Sequence, residues 1–249
     1  MTLTAYDSMG FEHCRNAAGF PPNAIKYEGS TGTTYTRGAP VVLSAGKLLE
    51  LAHDASPTTA LPIVGICAET KTCATDDYMV EVVPTDGNVF TVTITGHQDV
   101  TCNGASTAAN QFNIAQSSSL NTSATAIAGA LIHIYEGPGK GDTRAIMSNS
   151  TGSSVGATRV TVAPPFSATP TTASKAVMLC DYSSGAWGFP KNIGDLVARS
   201  TASALKTRVA VLDSSALAMF AIQSADMANL KIDVTIAPTK TVFGLETTG

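Results

Sequence analysis

The sequence predicts an all-β protein: small β-barrel or sandwich units preceded by an extended N-terminal arm. Three observations lead there. Apolar residues recur with period two, turn residues punctuate the chain at short intervals, and helical periodicity is thin. Successive side chains of a strand point to opposite faces, so a strict apolar/polar alternation marks a half-buried strand. Residues 230–236 are the clearest case, with Leu230, Ile232, Val234 and Ile236 on one face and Lys231, Asp233 and Thr235 on the other. In 88–95, Phe90, Val92 and Ile94 oppose Thr91, Thr93 and Thr95. In 158–162, Thr158, Val160 and Val162 oppose Arg159 and Thr161.

Further strands are expected over 39–43, 62–68, 78–83, 130–135, 143–148, 176–180 and 208–212. Turn signals lie between them at Gly29–Gly32, Asp86–Gly87, Gly137–Gly141 and Ser183–Gly185. The segment 47–53 has some helical propensity, but its place between Gly46 and the turn at 54–59 favours a strand. For 213–228 two readings stand. Asp213 to Ser215 would cap a helix with Leu217, Phe220 and Met227 on one stripe, or the same residues form another strand and loop.

Four parts follow. Residues 1–27 show little alternation and read as an extended arm. Residues 28–97 form a first barrel-like unit and 98–180 a second with a hairpin module. Residues 181–249 are a C-terminal β-rich addition to the second unit, or a small third one, with room for one short helix. In the arm, Phe11, Phe20, Pro21 and Pro22 are the candidate interface residues. The two rings either fold back on the first unit or lie across a neighbouring molecule.

Composition narrows the function. Charged residues are 14% of the chain, against roughly 25% in an average soluble protein, while the hydrophobic share is an ordinary 44%. Such a chain folds but presents a neutral, hydroxyl-rich surface, either wet or covered by partners. A net charge of −4 gives no footprint for nucleic acid. No apolar run approaches the roughly 20 residues of a membrane span. The start lacks the basic end and apolar run of a signal peptide. The five cysteines, Cys14, Cys67, Cys73, Cys102 and Cys180, are odd in number and scattered, so small buried thiols are expected rather than a disulfide framework.

Each candidate chemical motif also has a blander reading. Gly152, Ser154 and Gly156 fit the spacing of a nucleophile elbow, but the elbow needs a helix after the serine and a strand follows here. Gly139 and Lys140 resemble the end of a phosphate loop. That loop requires Gly where Ile134 stands and Ser or Thr where Gly141 stands, so a tight turn explains the glycines better. None of His13, His53, His97 and His133 is spaced for a metal with another His or Cys. His97 with Asp99 would be a base and its orienter, but both are expected in a polar loop. His133, in an apolar run, reads as a hydrogen-bonded core or interface residue. Asp76, Asp77 and Asp86 lack the carboxylate ladder of a calcium loop. No catalytic, cofactor-binding or metal-binding residue is therefore expected, and the chain is read as a non-enzyme.

Two stretches carry a family resemblance. In the first, Gly38, Pro40, Val41 and Val42 are followed by Gly46 and Leu48, then by Ile63, Gly65, Ile66 and Ala68, then by Val89 and Phe90. This order resembles the small β-barrel of the head decoration, or cement, proteins of tailed bacteriophages. In the second, the segment 141–146, the turn at Thr151 and Gly152, the segment 159–166, Pro170 and Ser174 are similar to a β-hairpin module of phage head and tail proteins. Together they span about half the chain. The resemblance implies a structural virion protein that binds the outside of an assembled capsid. Its partners would be the major capsid protein and its own copies, a trimer ahead of a dimer, with no nucleic acid or membrane partner. It would be made in the host cytoplasm and end on the virion exterior. The alternatives are a phage tail or fibre protein, or a carbohydrate-binding β module using Trp187, Tyr182 and Phe189.

Overall fold

A computed structural model describes residues 11–16, 23–51, 63–75, 78–95, 97–104, 106, 108–115, 127–151, 157–183, 186–190, 196–199, 210–211 and 220–236. Within these the regular secondary structure is strand, and the fold is all-β. The chain forms two compact units: one from residues up to 95, 196–225 and 231 onward, the other from 96–195 and 226–230.

The first unit opens with β1 (Glu12–Asn16), β2 (Ile25–Glu28), β3 (Thr34–Tyr35), β4 (Pro40–Ser44) and β5 (Lys47–Glu50). It continues through β6 (Ile63–Cys67), β7 (Lys71–Thr72), β8 (Met79–Pro84) and β9 (Asn88–Thr95). Five of these make a sheet in the order β2-β8-β6-β4-β5. A bridge between Gly29 and Leu48 brings its two ends together, so the sheet curls into a small barrel. Val41, Leu48, Val64, Cys67, Cys73, Val80 and Val82 fill it together with Tyr35. Close packing of β6 on β8 depends on Gly65, where a Cβ would stand 2.2 Å from the Val83 carbonyl oxygen.

The second unit holds β10 (Gln98–Thr101), β11 (Gln111–Ala115), β12 (Leu131–Glu136), β13 (Thr143–Thr151), β14 (Ala157–Ala163) and β15 (Lys175–Met178). They form one antiparallel sheet in the order β10-β15-β12-β13-β14-β11. A bridge from Cys102 to Ile114 joins the two outer strands and nearly closes a six-stranded barrel. Its core includes Phe112, Ile114, Ile132, Ile134, Ile146, Val160, Val162, Phe166 and Met178. Phe112 and Phe166 meet edge to face at 6.5 Å. The hairpin β13–β14 carries a bulge: Ile146 pairs with Val162 and Ser148 with Thr161, leaving Met147 unpaired and 59% exposed. The extra residue shifts the phase of β13, so Asn149 becomes buried and its side-chain oxygen accepts the Ile127 amide.

After the two-stranded β16 (Cys180–Ser183) and β17 (Ala186–Pro190), the chain supplies β18 (Leu196–Arg199), β19 (Ala210–Val211), β20 (Phe220–Asp226) and β21 (Lys231–Ile236). With β1 and β9 these form a second sheet of the first unit, in the order β1-β9-β19-β18-β20-β21, and β21 also pairs with β9. The expected alternation is realised: Phe90, Val92 and Ile94 on β9 and Ile232, Val234 and Ile236 on β21 are all buried. On the other face the Asp233 carboxylate accepts the hydroxyls of Thr91 and Ser224, both at 2.6 Å.

Two expectations are corrected here, and one open reading is decided. The final third was expected to extend the second unit or stand alone, yet β18–β21 belong with the first. The apolar face of β9 needs a partner with the same alternation, and β21, which pairs with it, carries it. Residues 220–226, within the segment where a helix was one reading, are a strand, because pairing Phe220 and Ile222 into that sheet buries both. The arm is not free throughout. Residues 12–16 pair with β9, from Glu12 opposite Thr91 to Asn16 opposite Asn88.

Candidate functional site

The residues nominated as a docking site divide. Phe11 is 2% exposed and stacks on Phe220 with ring centroids 4.5 Å apart. Its amide donates to the Gly38 carbonyl at 3.0 Å. Phe11 is thus a core residue of its own unit, which removes it as an anchor for a neighbour. Phe20, Pro21 and Pro22 lie outside the described residues.

Of the rejected motifs, the described residues place the Gly139–Gly141 turn and Asp99. Residues 152–156 lie outside the described residues; β14, the antiparallel partner of β13, begins at Ala157, so a strand follows Ser154 in the sequence. Gly139 and Gly141 have φ of 84° and 94°. The Gly141 amide donates to the Ile134 carbonyl at 2.8 Å and the Ile134 amide to the Asp142 carbonyl at 3.0 Å, a tight turn with positive-φ glycines. Asp99 is on the strand β10 rather than in a loop, and is exposed. Asp76, Asp77, His53 and the side chain of His13 lie outside the described residues. Among the described residues no three of His, Cys, Asp or Glu converge to hold a metal ion.

Cys67, Cys73 and Cys102 are buried free thiols. Burial pushes the Cys67 thiol up to about 11, so it stays protonated and unreactive at neutral pH. The side chains of Cys14 and Cys180 lie outside the described residues.

Two polar clusters that the sequence did not single out hold loops in place. In the first unit the Tyr35 hydroxyl accepts the Ser30 amide at 2.9 Å and donates to the Leu48 carbonyl. Burial raises the Tyr35 phenol above its ordinary range, which keeps it a donor. In the second, the Asp142 carboxylate accepts the Ser167 amide at 2.6 Å, the Ser167 hydroxyl at 2.7 Å and Arg144 at 2.7 Å. Arg144 also donates to the Pro165 carbonyl at 2.9 Å. Asp142 and Arg144 therefore clasp the loop after β14 onto the start of β13. Burial pushes the Asp142 carboxyl upward, but Ser167 and Arg144 together outweigh it and hold it below its usual range.

Among the described residues the large apolar side chains left most exposed are Ile25, Tyr78, Met79 and Met147. Tyr78 lies under the Lys71 ammonium, 5.6 Å from the ring centroid, and Lys71 also donates to the Met79 carbonyl at 2.6 Å. In the β16–β17 pair, Tyr182 stands directly opposite Trp187 in register. Among the described residues no helix is long and apolar enough to cross a membrane.

No protein-family model matches the chain, no curated protein is significantly similar to it, and no solved structure matches its fold.

Proposed function

We propose that the chain is a structural virion protein that seats on the outside of an assembled tailed-phage head and stabilises the shell. It contacts the major capsid protein and its own copies as a closed homo-oligomer, a trimer ahead of a dimer. The observation that carries this reading is the fold of the segment that bears the decoration-protein resemblance. Residues 33–90, which bear it, contain β4, β5, β6 and β8, which with β2 make the small five-stranded barrel sealed by Tyr35 and Leu48, while Val89 and Phe90 at its end lie on β9 of the other sheet. The second resembling segment, 141–174, contains the long β13–β14 hairpin. A surface poor in charge supports the reading, because each capsid or sister contact then desolvates few ions. A fold alone hosts many functions, so the test is binding. The full chain is mixed with purified tailed-phage heads and sedimented. Saturable pelleting and a higher temperature of head disruption are expected. No pelleting, with light scattering of a monomer, would overturn the reading.

A second reading, a carbohydrate-binding module, draws on the Tyr182 and Trp187 register pair. A glycan array separates it from the first: specific glycan binding without head binding would favour it. A tail or fibre role would show as pelleting with purified tails instead of heads.

A further inference from the structure

On β12 the side chains of Ile132 and Ile134 belong to the barrel core and are fully buried, so His133 between them stands on the outer face. An outer-face histidine is ordinarily wet, yet His133 is 6% exposed. Val177, its register partner on β15, is 1% exposed although its neighbours Ala176 and Met178 are the ones in the core. On the other flank Thr143 is the register partner of His133 on β13, and its hydroxyl lies 2.9 Å from the imidazole Nδ1. The ring is thus bonded to β13, has Val177 of β15 as its register neighbour, and keeps little surface to hydrate a charge.

Among the charged groups around it, Asp99 on β10 is the register partner of Val177. Asp142, beside Thr143, and Asp226, in the strand-end segment 226–230 of the same unit, both favour the imidazolium. Asp142 is already engaged by Arg144 and Ser167, which spreads its charge over other donors. Lys175 on β15 is held by Glu136 on β12 at 2.9 Å. Tyr135, next on the outer face of β12, has its phenol raised by burial and is neutral in this range. Burial is the larger influence on His133 and lowers it below its ordinary value, against the two carboxylates.

We propose that His133 is an acid-sensitive switch in the six-stranded barrel: below neutral pH, a proton gained by the buried imidazole loosens β12 from β13 and β15. The five-stranded barrel of the other unit has no such group among its described core residues and keeps its protection. The sign follows from linkage. The unfolded chain takes up the proton first, at about pH 6.5, so stability is complete above that pH and falls as pH drops toward the folded value.

Hydrogen exchange on the full chain, at about pH 7.5 and about pH 5.5 and corrected for intrinsic rates, tests this. A several-fold loss of protection is expected over 131–136 and 175–178, absent over 63–67 and 79–84, and abolished by His133→Gln. Equal loss in both units, no loss, or a loss that persists in the folded Gln variant would overturn the proposal, the last by pointing to another group such as His97. If the variant does not fold, the assigned His133 imidazole is titrated by NMR in the native chain. A midpoint below the ordinary histidine value supports the switch, and one at or above it overturns it.

Discussion

The Tyr35 hydroxyl donates to the Leu48 carbonyl while accepting the Ser30 amide, and so joins the connection after β2 to β5 at the barrel seam. The ring itself is fully buried in the core of the five-stranded barrel. Tyr35→Phe keeps that packing but removes the bond at both ends, leaving the Leu48 carbonyl with the long 3.4 Å contact from Ser30 Oγ. A loss of about 1–3 kcal/mol is expected, the range for an uncompensated buried polar group. Urea denaturation checks it. Because burial raises the phenol, stability should also fall as pH climbs above 10, the value of an unburied tyrosine, and this alkaline loss should be smaller in Tyr35→Phe.

Gly65 on β6 is the register partner of Pro84 on β8. A Cβ there would meet the Val83 carbonyl oxygen at 2.2 Å and Val82 Cγ1 at 2.4 Å, and the first of these is backbone that cannot swing aside. Gly65→Ala should therefore destabilise by about 3 kcal/mol or more, at the upper end of overpacking effects. Gly32→Ala is the contrast: its φ is 75° and no atom lies within 4 Å, so the cost is left-handed backbone strain alone, about 1 kcal/mol. Thermal unfolding of the two variants should rank them in that order.

These two sites show what could be read from sequence and what could not. The strands were legible because alternation is local: Phe90, Val92, Ile94 and Val234 announce their own burial. Sheet membership was not, because β21 pairs with β9 across some 140 residues and nothing in either strand names its partner. Which of its two readings holds for Phe11 was illegible for the same reason, since its partner Phe220 is distant and residues 12–16 alternate weakly. The Asp142 clasp had a faint signal, an acid and a base two residues apart and so on one strand face, but its third member Ser167 lies beyond the following strand. The bulge at Met147 was invisible because a single unpaired residue leaves no mark in the pattern.

Asp142 anchors the loop 164–167 through Ser167 and Arg144. Asp142→Asn keeps an oxygen for the Ser167 amide but loses the charge that holds Arg144, a partly exposed pair. A cost of about 1 kcal/mol is expected. The pH dependence has a definite sign. The folded carboxyl lies below 3.8, so its contribution is present above that value and is lost as pH falls through the folded one. Acid titration of stability should show this step in the native chain and a smaller one in Asp142→Asn.

Phe11 gives the sharpest test of where the N-terminal segment belongs. Its ring lies 4.5 Å from that of Phe220 and is 2% exposed, and the strand after it hydrogen-bonds along β9. An anchor reserved for another molecule would be truncated without effect on the isolated protein. A core ring takes with it the transfer energy of the side chain and leaves a cavity, about 3–5 kcal/mol for Phe→Ala. Phe11→Ala should therefore lower the melting temperature by several degrees or more. Phe11→Leu, which keeps most of the apolar volume, should recover a large part of the loss. Removing residues 1–16 should cost at least as much as Phe11→Ala, because the pairing of β1 with β9 goes with the ring. An unchanged melting temperature in Phe11→Ala would return the residue to the docking role and would mean that the contact with Phe220 contributes nothing to folding.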